Sequence, residues 1–265
     1  MKAETSKQLH LQALRQKAST WRSLPADLRH VALFFWNSLL RRKRMFPALL
    51  LAASLFALFL VRPFESGFNS WLQARFDSPF FNDAASWLSW SGEYFFPLMV
   101  VLPCWLLGCF RRSRRLQVLA ACILVSFVAS SLVVRAGKIA TGRLRPIVAE
   151  RNEQPDTFIG PTLKPKYHGF PSGHTAAAFA TSTPVLFVHP ALGGALSLCS
   201  GLIALSRTHE NQHYPSDLVA GIAVGILCSL PARRLLQAFP SSNAPDPHIA
   251  THEEPSPKRQ RPASE

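Results

Sequence analysis

The 265-residue sequence has few acidic residues and few cysteines, and both shortages restrict what the protein can be. It contains 15 Asp and Glu against 29 Lys and Arg, which gives a formal net charge of +14. The five cysteines all lie in apolar runs, without the spacing of a metal site or a disulfide framework, so we interpret them as small buried residues. An HExxH motif and a carboxylate cluster are also missing. The sequence therefore predicts no metal ion and no cofactor.

The excess of positive charge is concentrated at the ends of long apolar runs. The basic clusters are RRKR (41–44), RRSRR (111–115) and ARR (232–234). This placement is typical of membrane proteins, whose cytoplasmic loops carry an excess of Lys and Arg. The sequence therefore predicts a protein embedded in a lipid bilayer, and it argues against nucleic-acid binding.

Six apolar runs are candidate transmembrane helices, so the predicted fold is all-α and polytopic. The apolar stretch 31–40 is too short to span, and we expect it at the membrane interface. The fourth and fifth runs are short and rich in small residues, which predicts helices packed inside the bundle. The six runs are residues 45–61, 87–110, 116–134, 174–188, 191–205 and 218–230.

Composition divides the chain into three parts. Residues 1–44 are predicted to form a basic, partly interfacial cytoplasmic segment, and their polar start predicts no cleavable signal peptide. Residues 45–236 are predicted to form the six-helix domain. Residues 237–265 are rich in Pro, Ser and charge, which predicts a disordered cytoplasmic tail.

The basic clusters also predict an orientation. If all three clusters are cytoplasmic, six spans place both termini there. The loops 62–86, 135–173 and 206–217 then lie on the opposite face. The sequence therefore predicts a protein of the cell (inner) membrane whose two most chemically rich loops share the extracytoplasmic, periplasmic side.

The segment 206–217, SRTHENQHYPSD, pairs a histidine with a carboxylate at helical spacing. Pro215 favours a helix start, so Asp217 lies one turn inside and can reach back to the His213 ring. A histidine held by a carboxylate is a positioned base or nucleophile. Arg207 adds a planar cation suited to phosphate oxygens. Ordinary helix capping is the alternative that this segment alone leaves open.

A second pattern of charges lies in GKIATGRLRP, where Lys138 and Arg145 are seven residues apart. A helix ended by Pro146 would place both cations on one face and so form an anion site. Lipid headgroup binding is the alternative for this pair. It is also the role that we expect for Arg135 and Arg143.

The same loop closes with FPSGHTAAA, in which Ser172 and Gly173 directly precede the fourth run. A small hydroxyl residue and a glycine at a helix start expose backbone N–H groups that suit a phosphate. His174, on the first turn, would lie beside that phosphate and could act as a general acid. An ordinary N-cap at Ser172 is the alternative.

In this order, KIATGRLRP, PSGH and SRTHENQHYPSD resemble the three signature motifs of the type 2 phosphatidic acid phosphatase superfamily. Every motif residue matches, and the resemblance extends over roughly residues 45–234. It implies a bundle of six transmembrane helices and hydrolysis of a lipid phosphate without a metal cofactor.

The resemblance also implies a role for each motif residue. His213 corresponds to the nucleophile that forms a phosphohistidine, Asp217 to its orienting partner, and His174 to the acid that protonates the leaving oxygen. We expect His168 and His209 to be surface histidines without a direct role. The implied phosphate-binding residues are Lys138, Arg145, Ser172, Gly173 and Arg207.

The predicted function is hydrolysis of a membrane lipid phosphate or diphosphate, such as undecaprenyl diphosphate or phosphatidic acid, on the extracytoplasmic face. Phosphatidylglycerol phosphate and lipid A are also compatible, and we expect the loop 147–170 to select among these lipids. A lipid phosphotransferase is the enzymatic alternative. A lipid-binding protein that has kept the pocket is the non-enzymatic one, and the intact motifs argue against it. Six spans argue against a soluble vanadate haloperoxidase.

Overall fold

A computed structural model describes residues 24–41, 45–92 and 95–239. The predicted tail from residue 240 onward and the first 23 residues lie outside this part of the chain. The described backbone is helical, and its β-structure is limited to one isolated bridge between Arg143 and Phe158. The prediction of an all-α protein is therefore confirmed.

The helices of the described residues differ in length and burial. A π-helical turn (Ala57–Val61) and a 3₁₀ turn (Arg62–Phe64) connect the helix Met45–Phe56 to the helix Glu65–Arg75. In chain order the α-helices are α1 (Leu24–Arg41), α2 (Met45–Phe56), α3 (Glu65–Arg75), α4 (Pro79–Gly92), α5 (Phe95–Phe110), α6 (Arg114–Thr141), α7 (Pro146–Arg151), α8 (Gly173–Leu186), α9 (Pro190–His209) and α10 (Pro215–Gln237).

Four stretches of the described chain are long and apolar enough to cross a membrane: α2 with its continuation to Phe64, α6, α9 and α10. A fifth crossing results if α4 and α5, which lie at 56° to each other, count as one. The predicted run 87–110 is divided at this bend, and Trp87 belongs to a helix that begins at Pro79. The protein is an integral membrane protein, as predicted.

Helix α8 corresponds to the fourth predicted run, and it lies at the centre of the bundle against α6, α9 and α10. Of its 14 residues, ten are buried, and they are Ala, Thr, Ser, Pro and Val. Two glycines of α10 permit a close approach. A Cβ on Gly221 would lie 2.7 Å from the carbonyl oxygen of Ser172, and one on Gly225 would lie 2.6 Å from that of Ala176. This packing of small residues holds the start of α8 in place.

Helix α9 corresponds to the fifth run, and it has an outer face. Leu198 is 74% exposed and Leu202 is 53% exposed, whereas Ser200 and Ile203 are buried. The prediction of an interior helix is thus confirmed for α8 and wrong for α9. Small residues occur on both sides of α9, since Ala195 is exposed, so they do not by themselves mark an interior helix.

An apolar cluster closes the end of the bundle where α6 begins and α10 ends. Val31 and Phe35 of α1 are buried there against Val118 of α6 and Leu235 of α10. Trp36 of α1 is 62% exposed. Helix α1 therefore combines contacts to the bundle with an exposed aromatic side chain, while the proposed domain division at residue 44 stays a prediction.

Candidate active site

The three motifs meet at the other end of the bundle, where α6 and α9 end and α8 and α10 begin. The positive charges of Lys138, Arg145 and Arg207 all act on both His174 and His213. Residues that are up to 75 positions apart in the sequence are thus neighbours in the fold. The structure brings together the charged and titratable residues that the sequence singled out.

His213 and Asp217 are both buried and face each other across the first turn of α10. Nδ1 of His213 lies 3.4 Å from Oδ2 of Asp217, and the same oxygen accepts the Tyr214 N–H at 2.9 Å. Pro215 is the first residue of α10. The carboxylate therefore caps the helix and contacts the histidine ring at the same time, so the two interpretations of this segment are compatible.

The surroundings of His213 favour its neutral form. Burial lowers the pKa of His213 well below its ordinary value, and the charges of Lys138, Arg145 and Arg207 lower it further. A hydrogen bond to the backbone of Gly169 has the opposite, smaller effect. His213 is therefore neutral at neutral pH, which is the state that a nucleophilic imidazole requires.

Lys138 lies over the start of α8. A Cβ on Gly173 would lie only 3.4 Å from Nζ of Lys138. Ser172 is buried, makes no capping hydrogen bond with its side chain, and accepts a hydrogen bond from Oγ1 of Thr175 at 3.0 Å. The ammonium group and the N–H groups at the helix start therefore lie close together, as an anion site requires.

Lys138 and Arg145 do not share a helix, so the prediction of one continuous helix is wrong. Helix α6 ends at Thr141, and Gly142 takes the left-handed conformation with φ 58°. Pro146 begins α7 and does not end the preceding helix. A glycine C-cap and a proline at a helix start are the local reasons for this break.

Contacts between two loops bring Arg145 back to the site. Its Nη1 atom donates to Oε1 of Gln212 at 2.9 Å. Next to it, the Ile147 N–H donates to the carbonyl oxygen of Asn211 at 2.8 Å. These contacts join residues more than sixty positions apart, so helical periodicity could not predict them.

Arg207 is buried in the last turn of α9, where it is ion-paired. Its Nη1 atom lies 2.7 Å from Oε2 of Glu210 and also contacts the hydroxyl of Ser89. The Ser89 hydroxyl in turn donates to Glu210 at 2.6 Å. The sequence motifs did not indicate Glu210 or Ser89, since a carboxylate in a phosphate site is not expected from charge alone. Arg207 and Glu210 border a cavity of about 620 Å³, which is lined by Asn82, Ser86, Arg207, His209, Glu210 and Gln212.

Arg143 contradicts the expectation of a lipid-facing or headgroup-binding role. It is fully buried, and its guanidinium forms ion pairs with Asp217 at 2.6 Å and with Glu65 and Asp156 at 2.7 Å each. Burial by itself would lower the pKa of Arg143, but the charges of these carboxylates raise it. The local sequence GRLRP gave no signal that its first arginine would be buried. Arg135, by contrast, is exposed as expected.

The two additional histidines near the motifs contact a helix and a loop, respectively. Nε2 of His209 lies 2.8 Å from Oδ1 of Asn82, and Nε2 of His168 lies 3.2 Å from the carbonyl oxygen of Thr162. His209 also lines the cavity beside Arg207. Neither contact is made to a predicted catalytic or phosphate-binding residue.

Residues 119–240 match the family model of the PAP2 superfamily, and this range contains every predicted site residue. Two solved structures are also similar. Aquifex aeolicus LpxE aligns with a TM-score of 0.47 at 19% identity, over 63% of this chain and 93% of its own. A PAP2-type phosphatidylglycerolphosphate phosphatase from Bacillus subtilis aligns with a TM-score of 0.49 at 16% identity, over 73% of this chain and 92% of its own.

Curated proteins with similar sequences include two phosphatases. An undecaprenyl-diphosphatase of Sulfolobus acidocaldarius is 26% identical over 125 residues, which are 45% of this chain and 55% of that protein. A lipid A 1-phosphatase of Porphyromonas gingivalis is 34% identical over 99 residues, which are 36% of this chain and 19% of that protein. The similarity thus spans between about a fifth and about half of the length of these relatives.

Proposed function

Residues 119–240 of this chain belong to the PAP2 superfamily, and from that premise we propose that the protein is a membrane lipid phosphatase. It hydrolyses the phosphomonoester or diphosphate of a membrane lipid. The observation that supports this most is the convergence of three cations on two histidines, one of which is held by a buried carboxylate. The undecaprenyl-diphosphatase and lipid A 1-phosphatase names of the two relatives support the same substrate class.

In the first chemical step, His213 attacks the phosphorus atom through Nε2, because Nδ1 faces Asp217. The new phosphorus–nitrogen bond forms as the phosphorus–oxygen bond to the leaving group breaks. The negative charge of the bound phosphate offsets the cations around His174 and favours its protonated form. His174 then donates this proton to the departing oxygen. The carboxylate of Asp217 stabilises the positive charge that develops on the imidazole ring.

In the second step, a water molecule attacks the phosphohistidine. His174, now neutral, accepts a proton from this water as the phosphorus–nitrogen bond breaks. Inorganic phosphate leaves, and His213 returns to its neutral form. The lowered pKa of His213 favours this step, because a less basic imidazole is a better leaving group.

The basic groups around the two histidines would bind the phosphate. Lys138, Arg145 and Arg207 would neutralise the phosphoryl oxygens, together with the Ser172 side chain and the Gly173 N–H. The Ser172 N–H itself donates to the carbonyl oxygen of Asp217 at 3.0 Å. Phosphoryl transfer depends on positioning and on positive charge around these oxygens. We infer that the three side chains supply this charge and that turnover does not depend on a metal ion.

We infer six spans, with α4 and α5 as one crossing and α8 as another. At 14 residues α8 is about 21 Å long, so the loops at its ends would complete the crossing. Arg114 begins α6 and Arg234 lies in the last turn of α10, both at the end opposite the candidate site. The positive-inside rule then supports an extracytoplasmic site.

The activity is tested with purified protein and four lipids: undecaprenyl diphosphate, phosphatidic acid, phosphatidylglycerol phosphate and lipid A. We expect release of inorganic phosphate from at least one of them, and the same rate in excess EDTA. No release from any lipid would overturn the proposal. Loss of activity in EDTA with recovery in magnesium would overturn the metal-independent site, and phosphate transfer to a second lipid would indicate a phosphotransferase.

The orientation is tested separately with cysteines introduced into the loop 147–170. A membrane-impermeant thiol reagent should label them in intact cells. The control is a cysteine in the cluster 111–115, which should react only after the membrane is permeabilised. The reverse pattern would place the site on the cytoplasmic face.

A further inference from the structure

Arg143 lies beside the candidate catalytic residues, yet all of its hydrogen-bonding capacity is used within the protein. Nε donates to Asp156 at 2.9 Å, and Nη2 donates to Asp156 and Glu65 at 2.7 Å each. Nη1 donates to Asp217 and to the Ser216 hydroxyl, both at 2.6 Å. A guanidinium group has five N–H donors, and all five have an acceptor here. Arg143 therefore has no donor left for a phosphate.

The contact to Asp217 is the one that reaches the site. Oδ1 of Asp217 accepts from Arg143, while Oδ2 accepts from the Tyr214 N–H and faces Nδ1 of His213. A carboxylate held through one oxygen by a rigid guanidinium cannot turn freely about its Cβ–Cγ bond. The position of Oδ2 relative to His213 therefore depends on Arg143.

The cluster around Arg143 also fixes the start of α10. Oε1 of Glu65 accepts the Ser216 N–H at 2.8 Å, and its other oxygen accepts from Arg143. The guanidinium carbon lies 4.2 Å from the centre of the Tyr214 ring. Residues 65, 143, 214, 216 and 217 thus form one network, buried except for Tyr214, that joins α3, the loop after α6 and α10.

From these contacts we propose that Arg143 is a positioning residue for catalysis, which orients the Asp217 carboxylate toward His213 and balances its charge without touching the substrate. This inference rests on the proposed role of His213 as the nucleophile. Removing Arg143 would leave three carboxylates close together without their shared cation. A lysine would keep the charge, but its single ammonium group cannot reproduce the planar set of donors.

The experiment compares Arg143→Lys and Arg143→Gln with Arg62→Gln, measuring kcat and KM on the lipid that the wild type hydrolyses fastest. Arg62 is the matched control, because it pairs with Asp156 of the same cluster at 3.0 Å but does not contact Asp217. We expect kcat to fall by about 10- to 100-fold in Arg143→Lys, as for other orienting partners, and further in Arg143→Gln. KM should stay within about threefold in both variants, since a lost phosphate contact would raise it. Arg62→Gln should stay within about twofold of the wild type, as expected of an exposed pair.

A double-mutant cycle separates positioning from a general structural role. If Arg143 acts through Asp217, Arg143→Lys should lower the residual kcat of Asp217→Asn by no more than about threefold. An additive loss, a rise in KM at constant kcat, or wild-type kcat in Arg143→Lys would each overturn the inference. If Arg143→Gln does not fold, Arg143→Lys and its cycle still decide the question. A folded wild type without turnover on any lipid would overturn the proposed function and this inference together, whereas an active wild type isolates the inference.

Discussion

The two sides of His213 carry opposite charge, and each contains a buried arginine with a different set of partners. On the acidic side, Arg143 is enclosed by the carboxylates of Glu65, Asp156 and Asp217. On the basic side, Arg207 pairs with Glu210 at the edge of a cavity, near Lys138 and Arg145.

This difference shows that burial and charge alone do not identify a substrate-binding arginine. Arg143 is fully buried and uses all its donors for internal contacts, so we assign it to the framework. Arg207 is 8% exposed and borders open space, so a phosphate can compete with its carboxylate partner. In the proposed function, the acidic side orients His213 and the basic side receives the phosphoryl group.

The largest effect is expected where the two sides meet, at His213. His213→Ala removes the attacking nitrogen, so we expect activity to fall to the background of the assay. In the wild type, rapid quenching at alkaline pH should trap radiolabelled phosphate on His213, because phosphohistidine survives there. Label on Ser172 or Ser206 would identify a different nucleophile.

The next largest effect is expected on the acidic side. Asp217→Asn keeps the shape of the side chain but loses the charge that stabilises the imidazolium, so kcat should fall by about 10⁴-fold. Asp156→Asn is the matched control, because it changes the same cluster without a contact to His213. It should lower kcat by less than about tenfold, and equal losses in the two variants would remove the special role of Asp217.

On the basic side, Arg207→Lys should lower kcat/KM by about 10²- to 10³-fold, because a point charge cannot replace the planar fork on two phosphate oxygens. Steady-state kinetics on the preferred lipid measures this loss. Arg135→Lys is the control, since Arg135 is exposed, and we expect it to behave like the wild type. An active Arg207→Lys enzyme would mean that Arg207 does not bind the phosphate.

The dependence of kcat/KM on pH tests the basic environment of His213 without a substitution at His213 itself. Because the pKa of His213 is lowered, its neutral form persists as the pH falls below the ordinary histidine value of about 6.5. The acid limb of kcat/KM should therefore lie below about pH 6.5. Lys138→Met removes one of the charges that lower the pKa of His213. The acid limb of kcat/KM, measured on the residual activity of this variant, should therefore move to higher pH. An acid limb at or above 6.5 in the wild type would contradict a basic environment around His213.

The smallest effect is expected for Glu210→Gln, which removes the carboxylate that pairs with Arg207. A partly exposed ion pair contributes at most about 1 kcal/mol, so vanadate or inorganic phosphate should inhibit this variant up to about fivefold more strongly. Competitive inhibition constants measure the change. Weaker inhibition would show that Glu210 supports the anion site and does not compete for it.

Several features of the protein follow from local sequence. Apolar runs and flanking basic clusters indicate an all-α membrane protein, because a bilayer requires internally bonded helices of defined length. Pro215 and Asp217 indicate a helix start whose carboxylate can reach His213, since both depend on residues within one turn. The motifs in turn indicate which histidines and cations belong to one site.

Other features were decided only by the tertiary structure. The helical spacing that singled out Arg145 rested on a helix that ends before it, and only the packing turns Arg143 into a carboxylate cluster and Arg145 toward Gln212. Glu65 reaches Ser216 across 151 residues of sequence, and Ser89 meets Arg207 across 118. Such contacts join elements that are distant along the chain and depend on how the whole bundle packs. Helical spacing and charge describe only near neighbours, so they predict which residues form the site but not the network that holds them.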